Sequence, residues 1–160
     1  MEQDLTISRA LVDLFADPVV SDTLAFRGGT ALHKLYFDPP GRYSEDIDLV
    51  QVRPEPIGPT LTAIRGRLDS WLGKPKTEQT AGRVTLKYRF AAETQPVVNM
   101  RLKVEINTRE HLSVMGIVQF PFAVQSPWFA SAAQIQTYRV EELLGTKLRA
   151  LYQAAIRSAE

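Results

Sequence analysis

The chain has 160 residues, 44% of them hydrophobic and 23% charged, with a formal net charge of +1, which fits one soluble domain with a proper core and argues against a broad basic sleeve for nucleic acid while leaving room for a local patch. The lack of cysteine and the presence of only two histidines, His33 and His111, exclude a disulfide framework, a thiolate metal site and a histidine-rich one. No apolar run approaches the roughly 18 residues of a membrane span and Met-Glu-Gln-Asp is no signal-peptide start, so the expectation is one cytoplasmic domain over residues 1–160.

In chain order, Leu5, Leu11, Val12, Leu14 and Phe15 recur at helical spacing and predict a helix over 4–16, ended by Asp17-Pro18. Leu24-Ala25-Phe26 reads as a short buried strand running into Gly28-Gly29, and Thr30 to Tyr36 as a helix with Ala31, Leu32 and Leu35 inward. After the Asp38-Pro39-Pro40-Gly41 loop, residues 46–52 alternate, with Ile47 and Leu49 on one face and Asp46, Asp48 and Val50 on the other. A rigid Pro-rich connector precedes a helix over 60–72, with Leu61, Ile64, Leu68 and Leu72 aligned. Residues 83–90 and 100–107 alternate and read as paired strands. The extended segment 114–124, with a proline and a glycine, suits an edge. Residues 139–157 form the clearest late helix, striped by Val140, Leu143, Leu144, Leu148, Leu151 and Ile156.

Two clusters in this pass carry chemistry. Residues two apart on a strand share a face, so Asp46 and Asp48 can converge on one cation while Ile47 enters the core. Magnesium takes few protein oxygens and lets phosphate and water fill the rest. A third carboxylate on a neighbouring strand would complete a two-metal arrangement for in-line displacement. Glu105, in Lys103-Val104-Glu105-Ile106-Asn107, is the best candidate, because an unpaired carboxylate among apolar strand residues is costly. Gly28 and Gly29 let the backbone approach a phosphate closely, and the helix behind them points its free N–H groups at that anion. Thr30 can cap the helix, and Lys34, one turn on, can reach the same anion. Arg42 reads equally as a phosphate contact or an ion-pair partner; Ser44 either orients Asp46 or caps the loop. For Arg27 the ion pair, with Asp22, Asp38 or Glu45, is favoured.

Phe26-Arg27-Gly28-Gly29-Thr30-Ala31-Leu32-His33-Lys34, Arg42-Tyr43-Ser44-Glu45-Asp46-Ile47-Asp48-Leu49 and Glu141-Glu142-Leu143-Leu144-Gly145-Thr146-Lys147-Leu148-Arg149-Ala150-Leu151 resemble the AbiEii/AbiGii nucleotidyltransferase family. That family includes the MenT-type toxins, within the DNA polymerase β-like superfamily. The resemblance implies an α+β fold with a mixed sheet flanked by helices. It implies a toxin linked to phage defence, partnered by an AbiEi-like antitoxin. It implies transfer of a nucleotide from a nucleoside triphosphate to RNA, as some members modify the 3′ end of tRNA while others are described as GTP-binding.

Carried over by motif, Gly28, Gly29 and Thr30 bind nucleotide phosphate, Asp46 and Asp48 bind Mg2+ or Mn2+, and Lys147 contacts the triphosphate. From its own neighbours, Leu143, Leu144, Leu148 and Leu151, Lys147 reads instead as a lysine snorkelling from an apolar face. In the mechanism so implied, Glu105 completes the metal site or deprotonates the acceptor hydroxyl. The resemblance also implies a further Arg-Asp-x-x-Asp-like block and a helical C-terminal region. Residues 152–160 carry neither. The expectation is a domain with exposed apolar surface that self-associates or docks a partner. The alternative function is a short form that binds nucleotide or a partner without turnover.

Arg83, Lys87 and Arg89 fall at even steps and can form one basic sheet face, suited to an RNA backbone or simply to solvent. Pro127-Trp128-Phe129 can cover the sheet or meet a partner.

Overall fold

The computed structural model describes residues 2–37, 46–93 and 95–158. Five helices and seven strands follow in the order α1 (Glu2–Phe15), α2 (Pro18–Thr23), β1 (Leu24–Arg27), α3 (Gly28–Tyr36), β2 (Asp46–Gln51), α4 (Gly58–Leu72), β3 (Lys76–Thr80), β4 (Arg83–Ala91), β5 (Asn99–Asn107), β6 (Ile117–Gln125), β7 (Ala130–Tyr138) and α5 (Val140–Arg157) among the described residues. The strands form one mixed sheet in the order β3-β4-β5-β2-β1-β7-β6. The pairs β1–β2, β3–β4, β4–β5 and β6–β7 are antiparallel, whereas β1–β7 and β2–β5 are parallel. This is the α+β mixed sheet that the resemblance implies.

The helices form where the apolar stripe and the end signals agree. In α1, Ile7, Ala10, Leu11 and Leu14 are fully buried, and Glu2 and Asp4 in the first turn complement the helix dipole. Asp17 ends α1 and also starts α2, its carboxylate accepting the Val19 N–H at 2.9 Å with Pro18 in the first turn. In α4, Ile64 and Leu68 are fully buried, and the helix stops at Gly73. Helix α1 packs on β6 and β7, and α4 on α1, α2 and β4. Between these helices and the inward strand residues Phe26, Ile47, Leu49, Leu86, Tyr88, Leu102, Val104 and Ile106 sits a single core. Tyr88 is wholly buried, and its hydroxyl donates to Asp69 Oδ1 at 3.0 Å, which satisfies the one polar atom it brings inside.

Three elements differ from the sequence reading, which gives no structure to residues 18–23, 76–80 and 130–138. Helix α2 is six residues long, too short to show a period. Strand β3, Lys-Thr-Glu-Gln-Thr, is polar throughout and is held by pairing with β4 across a turn at Gly82, whose φ of 88° suits glycine. Strand β7 is rich in Ala and Gln and is set by burial of Ile135 and Thr137 between β1 and β6. Strand β6 is an edge strand, as Pro121 suggests. Val50, assigned to the polar face, is fully buried together with Gln51. The segment after β5 folds over that end of β2, with His111 Nδ1 2.7 Å from the Gln51 carbonyl.

Among the described residues no helix is long and apolar enough to cross a membrane. Helix α5 carries the predicted stripe, but of its residues only Leu143 is buried. Leu148 is 66% exposed and Leu151 59%, with Leu144, Tyr152 and Ile156 also open. A row of this kind is uncovered apolar surface.

Candidate active site

The site begins where β1 becomes α3. In the antiparallel register of β1 and β2, Arg27 lies opposite Asp48, so the first residue of α3 is beside the second aspartate. Gly28 has a φ of +83°, and a Cβ there would lie 2.6 Å from Asp48 Oδ2. Glycine is therefore required twice, for backbone angle and for space. Arg27 is the N-cap residue and gives no side-chain cap, so among the described residues no side chain consumes the first N–H groups of the helix. From the far side, α5 brings Lys147, whose Nζ would be 3.4 Å from a Cβ at Gly29. Thr30 is the third helical residue and buried; it does not cap the helix, because the helix starts two residues earlier than the apolar pattern indicates.

The parallel register of β2 and β5 places Lys103 opposite Asp46 and Glu105 opposite Asp48. Alternation sends all four to the face away from Ile47 and Val104. Lys103 Nζ lies 3.1 Å from Asp46 Oδ2 and 3.5 Å from Glu105 Oε2, and Arg83 Nε lies 3.2 Å from Glu105 Oε1. Asp48 makes no hydrogen bond or ion pair among the described residues. Burial pushes its carboxyl above the usual aspartate range, and the neighbouring charges of Glu105 and Asp46 push it further, against partial relief from Lys103 and Arg27. Burial works against the Lys103 charge as well, but its contacts with Asp46 and Glu105 outweigh that and hold the ammonium above the ordinary lysine range.

This pattern decides which groups can hold a metal. Among the described residues no group of three or more Asp, Glu or His converges closely enough to hold one. Glu105 is adjacent to Asp48 but engaged by Arg83 and Lys103. Asp46 and Asp48 remain a same-face pair, and Asp48 is an unpaired, desolvated carboxylate in a negative neighbourhood. That is the chemistry of a ligand for a hard cation that takes its other oxygens from phosphate and water.

Lys34 is not brought to the site. It points back to α1, where its Nζ donates to Asp4 Oδ1 at 2.6 Å and Ser8 Oγ at 3.0 Å, with its side chain only 5% exposed. It lies a full turn beyond the glycines on the face of α3 that meets α1. Arg42 and Ser44 lie outside the described residues. Arg27 forms the expected ion pair with an unexpected partner, Glu110, at 2.7 Å. Contact with Arg27 holds the Glu110 carboxyl below its usual range.

Sequence reasoning also misses Glu142. Its carboxylate accepts from Ser113 Oγ and from the backbone N–H groups of Val114 and Met115 at 2.8–3.1 Å. Burial alone would raise its pKa, but these three bonds together lower it. The segment after β5 is thereby pinned to α5. The only sequence signal was a second acid in the first turn of that helix.

The family model for the nucleotidyl transferase AbiEii toxin of a type IV toxin–antitoxin system matches residues 9–160. The chain belongs to the AbiEii nucleotidyltransferase toxin family. A search of curated proteins returns no match. Among solved structures, the fold is similar to a candidate nucleotidyltransferase from H. pylori, at 21% identity and a TM-score of 0.61, over 92% of this chain and 59% of that one. It is similar to JHP933 from Helicobacter pylori, at 18% identity and a TM-score of 0.56, over 91% and 54%. It is also similar to MenT4, a nucleotidyltransferase toxin from Mycobacterium tuberculosis H37Rv, at 19% identity and a TM-score of 0.59, over 86% and 48%. The AbiEii chain described here thus spans about half to three-fifths of those proteins.

Two substitutions separate site from scaffold. A carboxyl whose pKa is raised by folding makes a contribution to stability that is fully present below its unfolded pKa and is lost as pH rises through the folded pKa. Asp48→Asn is therefore expected to raise the melting temperature at pH 7, with the gain vanishing below about pH 4; thermal melts across that range check it. Lys34→Met removes a buried cation from Asp4 and is expected to cost about 1–3 kcal/mol in urea unfolding. Nucleotide-induced shifts in melting temperature should be unchanged by it; a lost shift would return Lys34 to the site.

Proposed function

We propose that this chain is a metal-dependent nucleotidyltransferase toxin that moves a nucleotide from a nucleoside triphosphate to RNA, with the 3′ end of tRNA as acceptor. The observation that carries this reading is the contact of Asp48 with Gly28. It joins a carboxylate suited to a divalent metal to a helix start suited to phosphate, with Lys147 arriving at the next residue. Family membership and fold support the same reaction class.

In this reading Gly28, Gly29 and Thr30 present backbone N–H groups to the triphosphate, and Lys147 neutralises charge on the departing pyrophosphate. Asp46 and Asp48 hold Mg2+ or Mn2+, which when bound offsets charge on the phosphate oxygens. The acceptor hydroxyl attacks the α-phosphorus. A new O–P bond forms, the bond to the β-phosphate oxygen breaks, and the hydroxyl proton passes to a carboxylate. Glu105, on the next strand beside the two metal-holding aspartates, is the carboxylate left to take that proton. Positioning and fixed charge supply most of the rate.

The RNA path follows the same sheet face. Lys87 and Arg89 of β4 share that face with Lys103; Lys87 is held by Glu78 and Lys103 by Asp46 and Glu105, and a phosphate backbone would follow this line of cations. The biological setting is toxin action with an AbiEi-like antitoxin in phage defence. The open apolar stripe of α5 is suited to self-association or to a docked partner. Self-association would give concentration-dependent dimers in sedimentation that Leu148→Asp with Leu151→Asp abolishes; an unchanged monomer at all concentrations leaves the docked partner.

The deciding experiment incubates the protein with total tRNA, each labelled nucleoside triphosphate and Mg2+ or EDTA, beside the Asp46→Ala/Asp48→Ala variant. Label should enter RNA with Mg2+ and fall at least about 100-fold with EDTA or in the variant. No label, with nucleotide still raising the melting temperature, would leave a nucleotide-binding module in place of an enzyme.

A further inference from the structure

Helices α1 and α4, strands β4 and β5 and the turn between β6 and β7 enclose an open cavity of about 560 Å³, a size suited to a small ligand. It lies across the sheet from Asp48. Phe90 and Met100 in its wall pair across β4 and β5 and alternate with Arg89 and Arg101, so they face away from the Lys103 and Glu105 side. Trp71, Trp128 and Phe129 add aromatic rings to the apolar wall.

Arg9 is set into that wall. Its guanidinium lies 4.1 Å over the Trp71 ring and 5.4 Å from the Phe129 ring, an arrangement that fixes its plane. It makes no hydrogen bond among the described residues. Its nearest anion is Asp13, with Nε 3.6 Å from Oδ2, too long for a hydrogen bond. Nε is buried without a partner, whereas the side chain as a whole is 39% exposed. The accessible donors are therefore the two terminal Nη groups.

The rest of the mouth is also built. Ser126 Oγ accepts the N–H groups of Trp128 and Phe129 at 3.2 and 2.9 Å, which holds the turn in place, and Trp128 is 66% exposed. Glu2 and Glu93 complete the rim, joined by the Glu93 N–H to Glu2 Oε1 at 2.7 Å.

We propose that this cavity is a second ligand site, for a monocarboxylate with an apolar body. The carboxylate takes the paired Nη donors of Arg9, the geometry that guanidinium offers. The apolar body lies along Phe90, Met100 and Trp128. The rim carboxylates repel polyanions, which separates this ligand from nucleotides and RNA.

Both tryptophans of the chain line the cavity, so intrinsic fluorescence reports binding directly. The probes are decanoate, decanol, and a short peptide ending in Leu-Phe as free acid or amide. Decanoate is expected to change the emission saturably, with decanol at least about tenfold weaker. Arg9→Met should weaken decanoate by about the same factor and leave decanol unchanged, in protein whose melt shows it folded. Trp128→Ala, at an exposed position, should weaken both. Tighter binding of the peptide acid than of decanoate assigns a polypeptide C-terminus as the ligand; the reverse assigns a small acid. Equal affinity for decanoate and decanol, or no saturable response to any probe, overturns the proposal.

Discussion

The site depends on one close approach, the Asp48 carboxylate lying where a side chain on Gly28 would be. Remove that contact and the carboxylate pair and the helix start become two separate local features. The approach is set by backbone register. Antiparallel pairing of β1 with β2 fixes Arg27 opposite Asp48, and parallel pairing of β2 with β5 fixes Glu105 on its other side. Pairing in a buried sheet tolerates no slip, because a shift of one residue would turn Ile47 and Leu49 outward and the aspartates into the core.

The same register concentrates charge that the fold only partly neutralises. Lys103 and Arg83 answer Asp46 and Glu105, and Asp48 has no such partner among the described residues. A protein selected for stability alone has little reason to keep a desolvated carboxyl group beside two others. Active sites keep such groups because a substrate or metal completes the charge balance. The strain sits at the end of β1 and the start of β2, where the broad core on the opposite face anchors both strands.

The two faces of the sheet therefore have different tasks. One is closed by α1, α2 and α4, with the aromatic cavity at its margin; the other carries the carboxylates and the basic residues of β4 and β5. Helix α5 links them. It sends Lys147 to the glycines, and Glu142 to the segment after β5, while its apolar stripe stays open. The solved structures that share this fold are longer than this chain.

The helices α1, α4 and α5 were legible in the sequence because each has a full apolar period, and β2, β4 and β5 because each alternates. The candidate site was legible as two motifs, since the spacing within Gly28-Gly29-Thr30 and Asp46-Ile47-Asp48 is local and a local rule decides which face each residue takes. Strands β3 and β7 were not legible, because long-range pairing holds them and their own residues carry no pattern. Nor was the direction of Lys34, which one turn of helix carries to α1 instead of the phosphate side. The partners of Glu105 and Arg27 were decided by tertiary structure alone: Arg83 and Glu110 are distant in sequence and meet them only through sheet pairing and a folded-over loop. The sequence by itself thus determined the chemical groups and their local spacing. Only the tertiary structure decided which carboxylate stays unpaired, because charge balance depends on neighbours that the chain brings from elsewhere.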